Sequence, residues 1–160
     1  MLPDPAFDNL KDRSFEELGV YFRQGVAPKV QDMAGDTQGA FLAWSPQVGW
    51  FMKSVIRLMF RHWLGKRFHP ARDTAETGDG INLFSTRPRT RYPFRTNLGP
   101  ARMDGSACLR LDYNVGLSLW GLVDDVRKIA DHLFLGQIYY KFLWRKQATF
   151  YLYFVLAHKS

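Results

Sequence analysis

Arg110 and Asp112 stand two residues apart in a run, residues 106–114, that reads as a strand. Side chains alternate between the faces of a strand, so this cation and this carboxylate share one face. Facing outward, they are a solvated ion pair that contributes little. Facing inward, they form a buried polar site able to orient an anionic or hydroxylated ligand. Arg127 offers a second cation of this kind, with Asp124 and Asp125 as partners. Tyr113, Tyr139, Tyr151 and Tyr153 can complete the hydrogen bonds around such a ligand, and Trp44 and Trp63 can wall it; each also suits a purely structural role. An enzyme using the same cavity would take Asp112 as general base, its pKa raised by burial, and Tyr113 or Tyr139 as acid or oxyanion donor. That chemistry fits an isomerase or cyclase acting on an apolar metabolite.

Other chemistries lack their residues. His62, His69, His132 and His158 are isolated from one another and from Cys and carboxylates at metal-ligand spacing. No nucleophile elbow, P-loop or dinucleotide fingerprint occurs, so neither a metal nor a cofactor is expected. Cys108 is the one cysteine. It has no base in view, forms no intrachain disulfide, and fits a buried thiol in a reducing compartment. The acidic N-terminus has no apolar core of a signal peptide. The most apolar segment is interrupted by Lys53, Arg57 and Arg61, which argues against a membrane span. These features place the protein in the cytoplasm, with a peripheral position at a membrane as the second option.

Charge is unevenly spread. The net charge of +7 arises from 4 basic and 7 acidic residues over 1–52, 12 and 4 over 53–110, and 6 and 4 over 111–160. A basic field concentrated in the middle third attracts phosphate, acidic lipid or an anionic small ligand, or simply keeps the protein soluble. Arg87, Arg89, Arg91 and Arg95 fall on one face of an expected strand over 86–96, with Tyr92 and Phe94 on the other. Base stacking needs cations and rings on the same surface, so this arrangement argues against nucleic acid.

The elements that must position these groups begin with a capping box, Ser14 with Glu17, opening a helix over 15–24 that stops at Gly25; Leu18, Phe22 and Val26 can face the core. Residues 40–44 read as a short strand. A second helix is expected over 46–64, capped by Ser45 and Pro46 and ended by Gly65. It would be roughly 28 Å long at the α-helical rise. Its cations repeat every four residues on one stripe, and the rest is apolar and needs covering. Residues 69–80 read as a polar loop, the most mobile segment. Strands are expected over 81–85, 86–96, 106–114 and 122–129, the Asp104-Gly105 pair turning a hairpin between the second and third. Residues 115–121 read as a loop. A last hairpin joins 134–143 to 148–157, and its final run is apolar on both faces, as for a strand between two apolar layers or facing an apolar lumen.

The run Trp63-x-Gly65-Lys66-Arg67-Phe68 resembles the W-x-G-K-x-F signature of small uncharacterised lipocalin-like proteins named for a GxWxG motif. Residues 123–129, followed by Leu135-Gly136, are similar to their D-x-x-R-K-V…L-G run, and an aromatic strand like 150–156 ends those chains. The resemblance covers residues 34–156. It departs at the GxWxG motif itself: Gly35 and Gly39 are present, but Ala40 and Phe41 follow where the tryptophan is due. The resemblance implies a small antiparallel barrel with an apolar interior and no known reaction.

Together these readings give an α+β protein: N-terminal helices followed by a curved antiparallel sheet or lipocalin-like β-barrel. One domain spans 1–160, with an arm and helix over 1–33 and the barrel over 34–160 around the embedded helix 46–64. The leading function is binding or carriage of a small apolar or lipid-like molecule, neutral or anionic, with Arg110 or Arg127 as the anchor if it is acidic, the helix across a barrel end and Trp63 near the rim. The alternatives are the enzyme described above and a peripheral binder of anionic membrane surfaces through Lys53, Arg57 and Arg61. Ligand identity and oligomeric state are open.

Overall fold

The structure, a computed structural model, describes residues 3–72, 74, 76–115 and 119–158. Eight strands run in chain order: β1 (Gly35–Trp44), β2 (Trp63–Pro70), β3 (Gly78–Phe84), β4 (Thr90–Pro100), β5 (Ala107–Asp112), β6 (Leu122–Ala130), β7 (Leu133–Tyr140) and β8 (Thr149–His158). Each pairs antiparallel with the next. The last returns to the first, with Thr37 opposite His158, and closes the barrel. Two α-helices, α1 (Phe15–Gln24) and α2 (Trp50–Met59), complete the α+β, helix-then-barrel architecture.

The expected last hairpin forms, with Leu133 opposite Ala157 and Tyr140 opposite Thr149. The two-faced apolarity of β8 has a direct cause. Leu152, Phe154 and Leu156 point into the barrel, and Tyr153, Val155 and Ala157 point outward beneath α1 and the N-terminal arm. The strand therefore has a core on each side. Ser14 caps α1 and Glu17 reaches back to its backbone, as the sequence reads, and Leu18 and Phe22 are buried against the barrel's outer wall. Val26 is exposed instead, its backbone held by a bridge to Lys128.

The second helix is shorter than expected. Ser45 does not cap it: its hydroxyl accepts from the Gln47 N–H in the turn before the helix, and Gly49 is the N-cap. The helix ends before Phe60, and His62 turns the chain with φ +68°. Residues 63–68 then enter the barrel as β2, so Gly65 is no helix terminator. Its φ is +145°, and a Cβ there would collide with the Thr37 carbonyl of β1. The same crossing needs Gly39, where a Cβ would lie 2.5 Å from the Trp63 ring. These two glycines let β1 and β2 close around the indole.

The polar loop expected over 69–80 shrinks to 71–77, since β2 and β3 extend into it; of the mobility expected there, residues 73 and 75 lie outside the described residues. So do residues 116–118 of the loop expected over 115–121. The arginine ladder is broken. Arg87 and Arg89 lie in the turn before β4, and Arg91 folds back onto the carbonyls of Thr86, Arg87 and Pro88. A bulge at Tyr92, φ +58°, swings that ring inward onto Phe60 and Phe84.

Gly39→Ala tests the crossing. The added methyl must displace Trp63 from its stack on Phe41, an overpacking that costs about 1–3 kcal/mol. Urea unfolding should show that loss together with a changed Trp63 emission.

Candidate functional site

The interior divides into two parts. The middle of the barrel holds a polar cluster that sequence reasoning did not anticipate. Lys66 of β2 is 2% exposed. Its ammonium donates to Asn82 Oδ1 of β3 at 2.9 Å, to the Tyr113 hydroxyl, and to Asp124 Oδ2 of β6 at 3.2 Å. Tyr113 in turn donates to Asp124 Oδ2 at 2.8 Å, and the Trp63 indole donates to Asn82 Oδ1 at 3.0 Å. All three ammonium hydrogens are therefore used. Four rings, of Trp63, Phe94, Tyr113 and Phe154, also lie 5.1–5.5 Å from the nitrogen and stabilise its charge. Asn82 ties the cluster to the bulge by donating to the Tyr92 carbonyl.

Burial dominates the protonation balance of the cluster. It pushes Lys66 down and Asp124 up, each pulled part of the way back by the other. Tyr113 is held well above the usual phenol range by burial and by the Asp124 charge. Asp124 Oδ1 has no hydrogen-bond partner among the described residues, which adds to the cost of its charge.

The second part lies between α2 and the barrel mouth. A cavity of about 300 Å³ is lined by Met52, Val55, Ile56, Met59 and Phe60 on the helix side. Leu119, Trp120, Leu122, Tyr140, Phe142 and Tyr151 line it on the barrel side. Among the described residues, its polar side-chain groups are the two phenols and the Trp120 indole, and no carboxylate lines it. The Tyr151 hydroxyl is buried without a partner among the described residues, and burial raises its pKa. Phe60 lines the cavity, packs on Phe41, and Phe41 stacks on Trp63, so a wall of rings separates the cavity from the Lys66 cluster.

The residues singled out from sequence are spread over three places. Trp63 and Tyr113 belong to the central cluster, Trp63 deeper than the rim, and Tyr151 lines the cavity. Trp44, half-buried against the inner core, carries the Arg57 guanidinium 5.5 Å over its ring. Arg110, Arg127, Tyr139 and Tyr153 lie on the outer wall. Arg127 is fully buried there: it forms a two-pronged pair with Asp104 at 2.7 and 2.8 Å and donates to the carbonyls of Phe22 and Ala107. It fixes the end of α1 to the barrel, with four of its five N–H donors engaged on the outer wall, and it faces away from the lumen. Arg110 and Arg102 pair with the buried Asp125. Tyr139 donates to Gln137, which donates to Tyr153 under α1. Asp112 faces outward and binds the Asn114 backbone, whereas Tyr113 faces inward, so the two cannot serve one active site. Burial pushes the Cys108 thiol up to about 12, leaving it a packing group. Among the described residues, no three His, Cys, Asp or Glu side chains converge to hold a metal ion.

No known protein family's sequence profile matches the chain, and no curated protein matches it. A crystal structure of a protein from Thermomonospora curvata shares the fold, with a TM-score of 0.56 at 16% identity over 96% of this chain and 93% of that one.

Lys66→Met should strand Asp124 without its partner and cost about 3–5 kcal/mol at neutral pH. The folded-state pKa of Asp124 then lies further above its unfolded value of about 3.9. Its contribution is intact below that pH and is lost as pH rises through the folded pKa, so the variant should be most stable in acid. Lys66→Met with Asp124→Leu should recover at least half of the loss. Chemical unfolding across pH measures all three.

Proposed function

We propose that the protein binds a small, predominantly apolar molecule carrying one polar group in the cavity beneath α2. The observation that carries this reading is the unpartnered Tyr151 hydroxyl at an otherwise apolar cavity. A buried hydroxyl without a partner costs free energy, and a ligand oxygen beside it would remove that cost. A volume of about 300 Å³ lies at the small end of ligand sites. It suits a short acyl chain, a terpenoid or a compact aromatic compound rather than a long fatty acid. The eight-stranded barrel supports the same reading, since such barrels hold one small ligand when their interior is not fully packed. Here the packed middle leaves only the α2 end for it.

Carriage is favoured over turnover because, among the described residues, the cavity lining has no carboxylate, histidine or lysine to move a proton. The one buried carboxylate–lysine pair in the lumen lies behind the Phe60–Phe41–Trp63 rings. The likeness of residues 63–68 to the W-x-G-K-x-F signature fits this view of the cluster as framework: Trp63 and Lys66 build the packed centre, Gly65 admits it, and Phe68 fills below it.

A fluorescent apolar probe and its displacement by small terpenoid and acyl compounds test the proposal. Probe binding should be lost on Met59→Trp, which fills the cavity, with little change in unfolding midpoint. Tyr151→Phe should leave hydrocarbon affinity intact and weaken hydroxylated or carboxylated ligands by about 0.5–1.5 kcal/mol, the net worth of a hydrogen bond. A protein that binds no probe, or whose Met59→Trp variant binds as before, would overturn the assignment.

A further inference from the structure

Barrel topology sorts the connections into two ends. The segments between β1 and β2, β3 and β4, β5 and β6, and β7 and β8 all leave at the end that α2 covers. Those segments carry Lys53, Arg57, Arg61, Arg87, Arg89, Lys141, Arg145 and Lys146, and not one Asp or Glu. Seven of these eight side chains are exposed, Lys53 being half-buried, and none is in an ion pair among the described residues. At the opposite end, the described loop residues include Arg72 and Arg102 against Glu76, Asp104 and Asp131.

The same end carries large apolar side chains that nothing covers. Trp50 is 79% exposed, Phe51 63%, Leu58 73%, and Leu143 and Trp144 78% each. Those at the start of α2 and on the loop between β7 and β8 are connected, and Leu58 lies farther along α2. Trp50 packs edge-on to Phe51, Trp144 stacks on Phe142, and a shallow depression joins Trp144 to Gly49 and Met52 at the start of α2. Single exposed hydrophobes need no explanation, but a contiguous group ringed by unpaired cations does. α2 thus buries Ile56 inward while presenting Trp50, Phe51 and Leu58 with Arg57 outward, and Arg61 in the turn that follows is exposed beside them. Among the described residues, no helix is long and apolar enough to cross a membrane.

We propose that this end of the barrel docks on an anionic lipid bilayer, with Trp50, Phe51, Leu58, Leu143 and Trp144 entering the headgroup region and the eight cations meeting lipid phosphates. Charge complementarity selects the lipid: a face without carboxylates gains from each anionic headgroup it approaches. The apolar groups select a bilayer over other polyanions. They include leucines, which have no stacking partner in a nucleic acid, whereas tryptophan and leucine both partition into a membrane interface. This proposal goes beyond ligand binding and does not depend on it, although it sets the cavity's helix against the source of an apolar ligand.

The test is co-sedimentation with vesicles of phosphatidylcholine alone and of phosphatidylcholine with phosphatidylglycerol, read in parallel by tryptophan emission. Trp50, Trp120 and Trp144 are exposed at the docking end, so binding should shift emission to the blue. Sedimentation should be strong with the anionic vesicles, weak with the neutral ones, and reduced by salt. Arg61→Glu with Lys146→Glu should weaken partitioning about 25-fold or more, at roughly fivefold per cation removed, with the two new carboxylates adding repulsion. Trp144→Ser with Leu143→Ser should weaken binding and reduce the emission shift while leaving the unfolding midpoint unchanged, because both side chains are already in water. The cavity-filled Met59→Trp variant should bind vesicles normally, which separates this proposal from the ligand reading. Equal partitioning into both vesicle types, absence of binding to either, or binding indifferent to the Ser variant would overturn it. Tight binding to a single-stranded oligonucleotide without vesicle binding would reassign the face to nucleic acid. A concentration-dependent dimer abolished by the Ser pair would assign the face to self-association.

Discussion

A lysine ammonium at the centre of a small barrel must be neutralised and fully hydrogen-bonded, or the fold cannot hold it. The Lys66–Asp124–Tyr113–Asn82 cluster meets that demand with residues from four strands: β2, β3, β6 and the end of β5. Each strand is therefore held in a single register. A slip of one residue would send Lys66 or Asp124 to the other face of the sheet and leave its partner's charge buried alone. The rings around the cluster follow from the same requirement, since they both fill the space and stabilise the cation. The Tyr92 bulge follows too, because the Asn82 amide needs that carbonyl. With the middle of the barrel occupied in this way, the apolar cavity among the described residues lies under α2.

The sequence made some of this legible. Period-two alternation put Leu109, Leu111 and Tyr113 on one face of their strand, which the structure shows to be the inner one, and the Ser14–Glu17 capping box located α1. The last hairpin was plain because both strands are long and rich in aromatic and branched residues. Residues 45–68 misled, because helix-like spacing of cations continued into a segment whose fate is set by tertiary contacts. Nothing local says that Lys66 will find Asp124, 58 residues further on. Nor does Gly65 announce that it is needed for the close passage of β1 rather than for a helix end.

The site residues divide along the same line. Arginines near carboxylates were visible as a pattern, but which wall of the barrel they occupy was not. Arg127 and Arg110 turned outward because a second, external core lies under α1, and its buried polar groups Asp125 and Gln137 also need partners. Tyr151 was found as one tyrosine among four. What distinguishes it, a hydroxyl left without a partner at a cavity, is a property of packing and cannot be read from residue type.

Closure of the barrel has a consequence for how the chain reaches its native state. β1 and β8 are each other's neighbours, so the earliest strand made is completed by the latest, more than a hundred residues later. Until β8 arrives, β1 and β7 both present unpaired edges, and the charge of Lys66 cannot be fully enclosed. Growing the hairpins in sequence brings β2 through β7 together by short, inexpensive loop closures, but the final seam joins the two ends of the sheet at once. A nascent chain on the ribosome therefore holds an open sheet with two sticky margins through most of its synthesis, the period in which holding by a chaperone matters most. Once the seam shuts, no margin remains, and the finished molecule can carry bare tryptophans at one end without offering a strand edge to its neighbours.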